Sequence, residues 1–474
     1  MRRIKWLGAN HSRTTLPEDR LHPGWRSLMD FKQAGLEVIH AAKKEGLNHV
    51  DALIERTEEL EVQIRDNKVE KVEQSTSLGL GIRILNQGRS GFASTEKLDP
   101  QTIQKTLLKA RSNSEFQDPT DVFMPDKTSA GLDENQLQLY QEELNQLNVE
   151  DLSRLGLEAE AAARETDPRL TSIPYLGVSR SQTERVLVST HGVEHSERSN
   201  QVGAYCGTLL EDGDLRKSGF EFWSQRKWDS GAGRKLGARA VEKAAELLGA
   251  SSIESKNLPV ILDEYCAPRL LGIYFRAFYG EAAQKGSSRL KGKLNETIAV
   301  DSLTLLDDPH LPGGGASRTV DDEGVPTEPL KLIDSGRFSQ FLYHVEPASK
   351  DGVSSTGHAA RNYDSGISTT THNLVVKTGE KNLQDLCSIS EECLLVTQLE
   401  GAAGCNPISG DISIGVQGFH YKNGRRVQPV DSITIAGNFF DLLHNIREYG
   451  NQYQPNLSSR FIPALLVEGF SISG

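Results

Sequence analysis

At 474 residues, with 37% hydrophobic and 25% charged residues, the chain has the make-up of a soluble globular protein and length for about three domains. Its net charge of -12 argues against a broad phosphate-binding face, so no direct nucleic-acid partner is expected. There is no run of about 18 apolar residues, and MRRIKWLGANHSRTTLPEDR at the start lacks the apolar stretch of a signal peptide, so no membrane partner is expected and the cytoplasm is the expected compartment.

In chain order, residues 1–26 are polar and irregular and read as a flexible lead-in. From Ser27 to Gly46 the apolar positions Leu28, Phe31, Ile39 and Ala42 recur at helical spacing, and Gly46 suits a helix C-terminus. Leu60, Val62 and Ile64, then Leu80, Ile82 and Ile84, alternate with other residues and predict sheet strands. Asp99, Pro100 and the Ile103, Leu107, Ala110 series predict a capped amphipathic helix that closes a first α+β domain, residues 27–112. Residues 113–136 read as an exposed crossing, Glu134 to Glu165 as one or two helices, Arg185 to Gln225 as antiparallel strands and Lys235 to Leu248 as a helix; together they form a central α+β domain, residues 113–255. Ser90-Gly91-Phe92 before Asp99 is echoed by Ser218-Gly219-Phe220 before Asp229, which raises an internal duplication. In a β-rich C-terminal domain, residues 256–474, Pro259 to Leu262 reads as a strand and Ala267 to Ala283 as a helix apolar nearly all round and therefore buried.

Several groups invite a chemical reading and favour a bland one. Cys206, Cys266, Cys387, Cys393 and Cys405 form no CxxC pair and read as reduced thiols. Gly313-Gly314-Gly315 lacks the Lys-Ser/Thr of a phosphate loop and needs only a flexible turn, and Ser94 to Lys97 fits SxxK without partner motifs. Asp321, Asp322 and Glu323 lie beside Gly324 and Pro326, so a turn bonded to backbone N–H groups is favoured over acid–base work. A replacement metal site from His358, His372 and Asp321 or Asp322 matches no ligand spacing.

Four blocks are more specific: KGSSRLKGKLNE from Lys285, DDPHLPGGG from Asp307, DDEGVPTEP from Asp321 and STGHAAR ending at Arg361. In this order and spacing they resemble the TldD/PmbA family, called modulators of DNA gyrase, whose members work as paired-subunit metallopeptidases. The resemblance covers about residues 33 to 474. It implies a TldD/PmbA-like α+β fold of two intertwined or three successive domains. Metal-bearing relatives would place HExxxH on Leu271 to Arg276, which here reads LGIYFR, and no cysteine follows Cys405 to supply a further ligand. The chain therefore resembles the PmbA/TldE type, with no catalytic residue, no metal ligand and no cofactor of its own. The resemblance implies a zinc-bearing TldD-like partner subunit, trimming of unfolded peptide inside a shared channel, and inactivity alone; it also allows a homodimer in isolation. Ser287, Ser288, Asp322, Thr356, His358, Arg361 and Asn373 are the expected channel-lining or channel-shaping residues. The alternative is a non-catalytic peptide- or protein-binding scaffold associated with gyrase.

Overall fold

The computed structural model describes residues 27–120, 122–128 and 132–474; the expected lead-in, residues 1–26, lies outside them. Helix α1 (Ser27–Lys44) is followed by strands β1 (Val50–Arg65), β2 (Lys68–Asn86) and β3 (Arg89–Thr95) and helix α2 (Pro100–Ser114). α1 ends as its sequence dictates, with Gly46 N–H donating to Lys43 O and Leu47 N–H to Ala42 O. Asp99 caps α2 by accepting from Thr102 N–H at 3.0 Å. A short helix α3 (Glu142–Gln146) leads into α4 (Val149–Thr166), strands β4 (Leu170–Ser189), β5 (Glu194–Asp212) and β6 (Leu215–Gln225), and helix α5 (Ala232–Leu247).

These six strands form one sheet in the order β3-β2-β1-β4-β5-β6. β1 pairs antiparallel with β4 from Asp51 opposite Ser189 to Gln63 opposite Gly177, so the first and central segments share a continuous ladder. Each segment contributes the same series, helix, three strands and helix, with β1 and β4 side by side at the centre. The glycines of the repeated Ser-Gly-Phe triplets do the same work in both halves. A Cβ on Gly91 would overlap the Ala110 carbonyl oxygen of α2, and one on Gly219 the Ala240 carbonyl oxygen of α5. Each triplet is thus the point where a terminal strand touches the helix that follows it, and the duplication raised from the triplets is visible in the fold.

Alternation places Val50, Ala52, Ile54, Leu60, Val62 and Ile64 of β1 on one face of the sheet. The first three pack under α1 and α2, and the last three under α4 and α5. The opposite face carries Asp51, Leu53 and Glu55 and meets the C-terminal domain, where a Cβ on Gly324 would come within 2.8 Å of Val193.

The C-terminal domain joins two β layers around one apolar core. Strand β7 (Lys256–Leu262) lies between β14 (Glu392–Glu400) and β19 (Leu465–Ser473); β14 pairs with β15 (Asp411–Lys422), and β15 with β16 (Arg425–Asn438). β16 also pairs with β19, which closes these strands into a ring, and β17 (Ile446–Tyr449) extends the pairing of β19. The second layer runs β10 (Arg337–Phe338), β9 (Leu330–Asp334), β8 (Leu305–Asp307), β13 (Leu374–Val376), β18 (Arg460–Phe461), with β11 (Ala359–Ala360) and β12 (Ser368–Thr369) forming a separate ribbon.

One expectation is corrected here. Ala267 to Ala283 is not one helix: α6 (Cys266–Gly272), a tight turn at Phe275–Phe278 and α7 (Gly280–Gln284) replace it. Tyr279 is extended, and Leu342 exchanges backbone bonds with its neighbours, accepting from Gly280 N–H at 2.9 Å and donating to Phe278 O at 2.8 Å. This lateral pairing takes donors and acceptors that a continuous helix would use internally. Burial of the segment follows the sequence: Tyr274 and Phe278 are inaccessible to solvent.

Candidate functional site

Charged groups from three strands of the sheet meet the Asp321–Glu323 turn and Arg361 of the C-terminal domain. Arg83 of β2 donates from Nε to Asp51 of β1 at 2.7 Å and from Nη1 to Glu323 at 2.7 Å, and Arg361 pairs with Asp51 at 2.7 Å. These four side chains are nearly inaccessible, at 8% exposure or less. Burial opposes the charged forms, yet Arg361 and Arg83 hold Asp51 below the usual carboxylate range, while Asp51 and Glu323 push the Arg83 guanidinium up.

Beside this cluster, Arg185 of β4 pairs with Asp322 at 3.0 Å and with Glu55 at 3.1 Å, and Arg318 pairs with Asp322 at 2.5 Å. Burial of Asp322 is outweighed by the two arginines, which hold its carboxyl well below the usual range. Burial raises the Glu55 carboxyl; Arg185 counteracts it and Asp322 adds to it. Asp321 accepts from the N–H groups of Glu323, Val325 and Ala359, the turn-shaping role that the sequence favours. Burial and the neighbouring Glu323 nevertheless push its carboxyl upward.

Arg185, Arg318, Asp322, Glu55, Arg361 and Ser368 stand in the wall of a cleft of about 440 Å³ between the sheet and the C-terminal domain. Arg318 also borders a second cavity of about 250 Å³ that holds Tyr140, Ser196, Glu197 and Arg198. Both are polar grooves lined by fixed charges and hydroxyls, suited to holding an extended, hydrogen-bonding chain rather than an apolar ligand.

Of the seven expected residues, Asp322 and Arg361 line this cleft. His358, Thr356 and Asn373 are elsewhere. His358 is inaccessible, its Nδ1 2.9 Å from Thr356 Oγ1 and its Nε2 3.4 Å from Asp307, with its ring 4.4 Å from that of His372. His372 Nε2 donates to Gly357 O, and burial, aided by His358, pulls its imidazole down to about 3, so it is neutral. Neither Asp321 nor Asp322 approaches these rings as a metal ligand would; both are taken up by the bonds described above. Asn373 is buried and bonds Ala316 N, Asp308 O and Ser317, tying down the turn around Gly314. The Gly313 to Gly315 run is correspondingly packed rather than free: Gly313 N–H donates to Leu137 O and Gly315 N–H to Ser458 O. Ser287 donates to Ala282 O and Ser288 to Ala277 O, so both brace the segment between the 275–278 turn and α7.

The zinc-ligand positions implied by the resemblance fall on this same segment, and they do not fit a metal. Leu271 is buried in the apolar core, Arg276 is exposed and lies beyond the end of α6 at Gly272, and a Cβ on Gly272 would lie 2.5 Å from Nη1 of Arg460. A guanidinium thus rests where the carboxylate of a general base would begin. Among the described residues no group of three or more His, Cys, Asp or Glu is arranged to hold a metal ion.

Sequence reasoning missed Asp51, Glu55, Arg83, Arg185 and Arg318. A signal was present for Asp51, Arg83 and Arg185: Val50 to Ile54, Leu80 to Ile84 and Arg185 to Val188 are short runs, largely apolar, that carry single charges. A strand apolar on both faces is covered on both, so a charge within it must find a buried partner.

A duplicated sheet carrying a barrel-containing domain across a charge-lined groove defines the class, a sheet-and-barrel scaffold with a polar binding cleft. Three successive family models match the chain, described as PmbA/TldA metallopeptidase domain 1 over residues 50–114, the central domain over 142–248 and the C-terminal domain over 255–474. The chain belongs to the PmbA/TldD metallopeptidase family. It is 29% identical to metalloprotease PmbA of Escherichia coli over 88% of this chain and 91% of that one. It is 27% identical to a metalloprotease PmbA homolog of Haemophilus influenzae over 94% and 96%. A solved structure from Bacteroides thetaiotaomicron, described as a candidate modulator of DNA gyrase, superposes with a TM-score of 0.84 at 27% identity, covering 94% of this chain and 99% of that one. TldE of Thermococcus kodakarensis shares the fold, with a TM-score of 0.83 at 24% identity over 93% and 100%. Among the described residues no helix is long and apolar enough to cross a membrane.

Proposed function

We propose that this chain is the metal-free, TldE-like subunit of a two-subunit zinc peptidase in the cytoplasm. The zinc would sit on a TldD-like partner, and unfolded peptide would be held in the cleft between sheet and C-terminal domain. One observation carries the reading: at Leu271 to Arg276 the helix that would present two imidazoles and a carboxylate is interrupted, and its second position lies under the Arg460 guanidinium. The metalloprotease names of the relatives support a hydrolytic setting, and the polar cleft supports peptide as the ligand. Asp322 and Arg361 would line the groove; Thr356, His358 and Asn373 would hold the loops behind it, and Ser287 and Ser288 would brace the segment preceding them.

The test is hydrolysis of an unfolded peptide by this chain alone, by a zinc-bearing relative alone and by the two mixed, with metal analysis of each. Activity that rises only on mixing, with zinc on the relative, supports the subunit reading. Turnover or stoichiometric zinc in this chain alone sinks it. Peptide binding without turnover in any mixture favours the alternative suggested by the gyrase-modulator descriptions of its structural relatives, a non-catalytic scaffold.

A further inference from the structure

The KGSSRLKGKLNE block contributes nothing to the wall of the cleft. Between Tyr265 and Asn295 the chain carries six cations, Arg269, Arg276, Lys285, Arg289, Lys291 and Lys293, and one acid, Glu281, a local charge of +5 in a chain whose total is -12. All six cations are exposed to solvent. Glu281 is half-buried and pairs with Lys285 at 3.3 Å, whereas Arg269, Arg276, Lys291 and Lys293 form no ion pair among the described residues. Asp411, the acid nearest Arg289, is itself bonded by Ser409 and Asn438. Arg460, half-buried against Gly272, adds a seventh cation, and its guanidinium has no hydrogen-bond or ion-pair partner among the described residues. Like charges gathered without counter-charges repel one another, so an anion placed among them is stabilised.

The cations belong to one surface and are held in position. Arg269 and Arg276 stand three and four residues to either side of Gly272, where Arg460 rests. Ser288 Oγ donates to Ala277 O at 2.6 Å, which brings the loop that carries Arg289, Lys291 and Lys293 against the residue after Arg276. Leu290 of that loop is anchored in the apolar core, Lys293 N–H donates to Leu290 O at 3.0 Å, and Asn295 N–H donates to Phe338 O at 2.7 Å. Arg289 donates to Ser409 O at 3.0 Å, with its guanidinium 4.8 Å from the centre of the Phe440 ring. The charges are thus fixed on an ordered loop before any ligand arrives.

The chemistry of the face narrows its occupant. Its exposed large apolar side chains are Leu294 and, next to Ser409, Ile408, too few for the apolar centre of a stable protein interface. No exposed aromatic lies between Tyr265 and Asn295 to stack a base, as single-stranded nucleic acid requires. We infer that the face from Arg269 to Lys293, with Arg460, docks an acidic segment of unfolded peptide. This rests on the reading of the chain as a handler of unfolded peptide and adds a preference for carboxylate side chains, at a surface separate from the cleft.

The test uses the full chain and three amidated, fluorescein-labelled dodecapeptides of Gly, Ser and Ala that carry four Glu, four Gln or four Lys. Fluorescence anisotropy at about 20 mM salt should show the Glu peptide binding about tenfold tighter than the Gln peptide, the size expected for several exposed pairs acting together, and the Lys peptide binding weakest. At about 1 M salt, where the screening length is about 3 Å, the preference should shrink to about twofold or less. The combined change Arg269→Gln, Arg276→Gln, Lys291→Gln, Lys293→Gln should bring the ratio to about one, and a thermal melt confirms that the variant folds. Arg65→Gln, Arg216→Gln, Arg234→Gln, Arg239→Gln removes the same charge from exposed positions of the sheet half and should leave the ratio within about twofold of its native value. Equal binding of the Glu and Gln peptides, no binding of any, a ratio that survives the first variant, or a ratio lost equally in the second overturns the inference. So does tighter binding of a five-nucleotide thymidine strand, which carries the same four charges as the Glu peptide. Acid preference with no turnover in any mixture would keep this inference and remove the subunit reading, whereas turnover on mixing without acid preference would do the reverse.

Discussion

Replacing Arg83 by Met keeps the unbranched apolar stem and removes the guanidinium with its charge. Asp51 would then rely on Arg361 alone, and Glu323 on the N–H of Val345 at 2.8 Å. Both carboxylates remain where solvent cannot reach them, at 4% and 0% exposure. Breaking a buried pair by removing one partner destabilises by about 3–5 kcal/mol, because the remaining charge stays desolvated. For 474 residues unfolding as a unit, the entropy of unfolding is roughly 1 kcal/mol per kelvin, so the midpoint should fall by about 3–5 °C in scanning calorimetry. Arg447→Met is the control: its pair with Glu468 is 62% and 47% exposed, and its loss should leave the midpoint essentially unmoved. The double variant Arg83→Met with Glu323→Gln should be less destabilised than the sum of the two single changes. An Arg83→Met midpoint within about 1 °C of the native one would refute the view that this cluster ties the sheet to the C-terminal domain.

Gly91→Ala and Gly219→Ala should destabilise to a similar extent, each by about 1–3 kcal/mol in urea titrations, since both force a methyl group into a helix carbonyl at equivalent points of the duplicated unit. The triple change Leu271→His, Gly272→Glu, Arg276→His restores the motif letters but not the space, so plasma mass spectrometry should find no stoichiometric zinc after dialysis. His372 contributes a pH effect whose sign is fixed by its depressed imidazole value. The unfolded chain takes up a proton near pH 6.5 and the folded chain near pH 3, so stability is full above 6.5 and falls as pH drops through that window. The slope from this one group approaches about 1.4 kcal/mol per pH unit, and His372→Gln should flatten it in denaturant midpoints taken from pH 7 to pH 4.

What the sequence displays most clearly is punctuation. Gly46, Asp99 with Pro100, and the alternation at Leu60 to Ile64 and Leu80 to Ile84 act through local backbone chemistry, and each appears in the fold where the residues place it. The full lengths of β1 and β2 are harder to read because their central residues are polar on both faces. The broken helix at Ala267 to Ala283 escapes for a different reason: its break comes from Leu342, far away in sequence, pairing laterally with Phe278 and Gly280. The charged cluster hides because Asp51, Glu55 and Arg185 occupy the side of an alternating strand that ordinarily faces water. The presence of a second domain on that side turns them into a buried network, and the apolar runs around Asp51, Arg83 and Arg185 signal a cover without naming the partner that supplies it.

The two helix pairs protect the ends of the long sheet and leave a strip between them. Along β1, residues Glu55 to Glu59 are half-buried or exposed, between the apolar blocks at Val50–Ile54 and Leu60–Ile64. The ladder to β4 runs through this strip without interruption, pairing Glu55 with Arg185 and Glu59 with Ser181. Stiffness there is carried by backbone bonds rather than by packed side chains, so the sheet has the mechanics of a torsion bar with rigid grips and a bare shaft. Glu55 and Arg185 sit at the edge of that shaft and also line the groove, so a twist of one half against the other would be read out as a change in the groove's width.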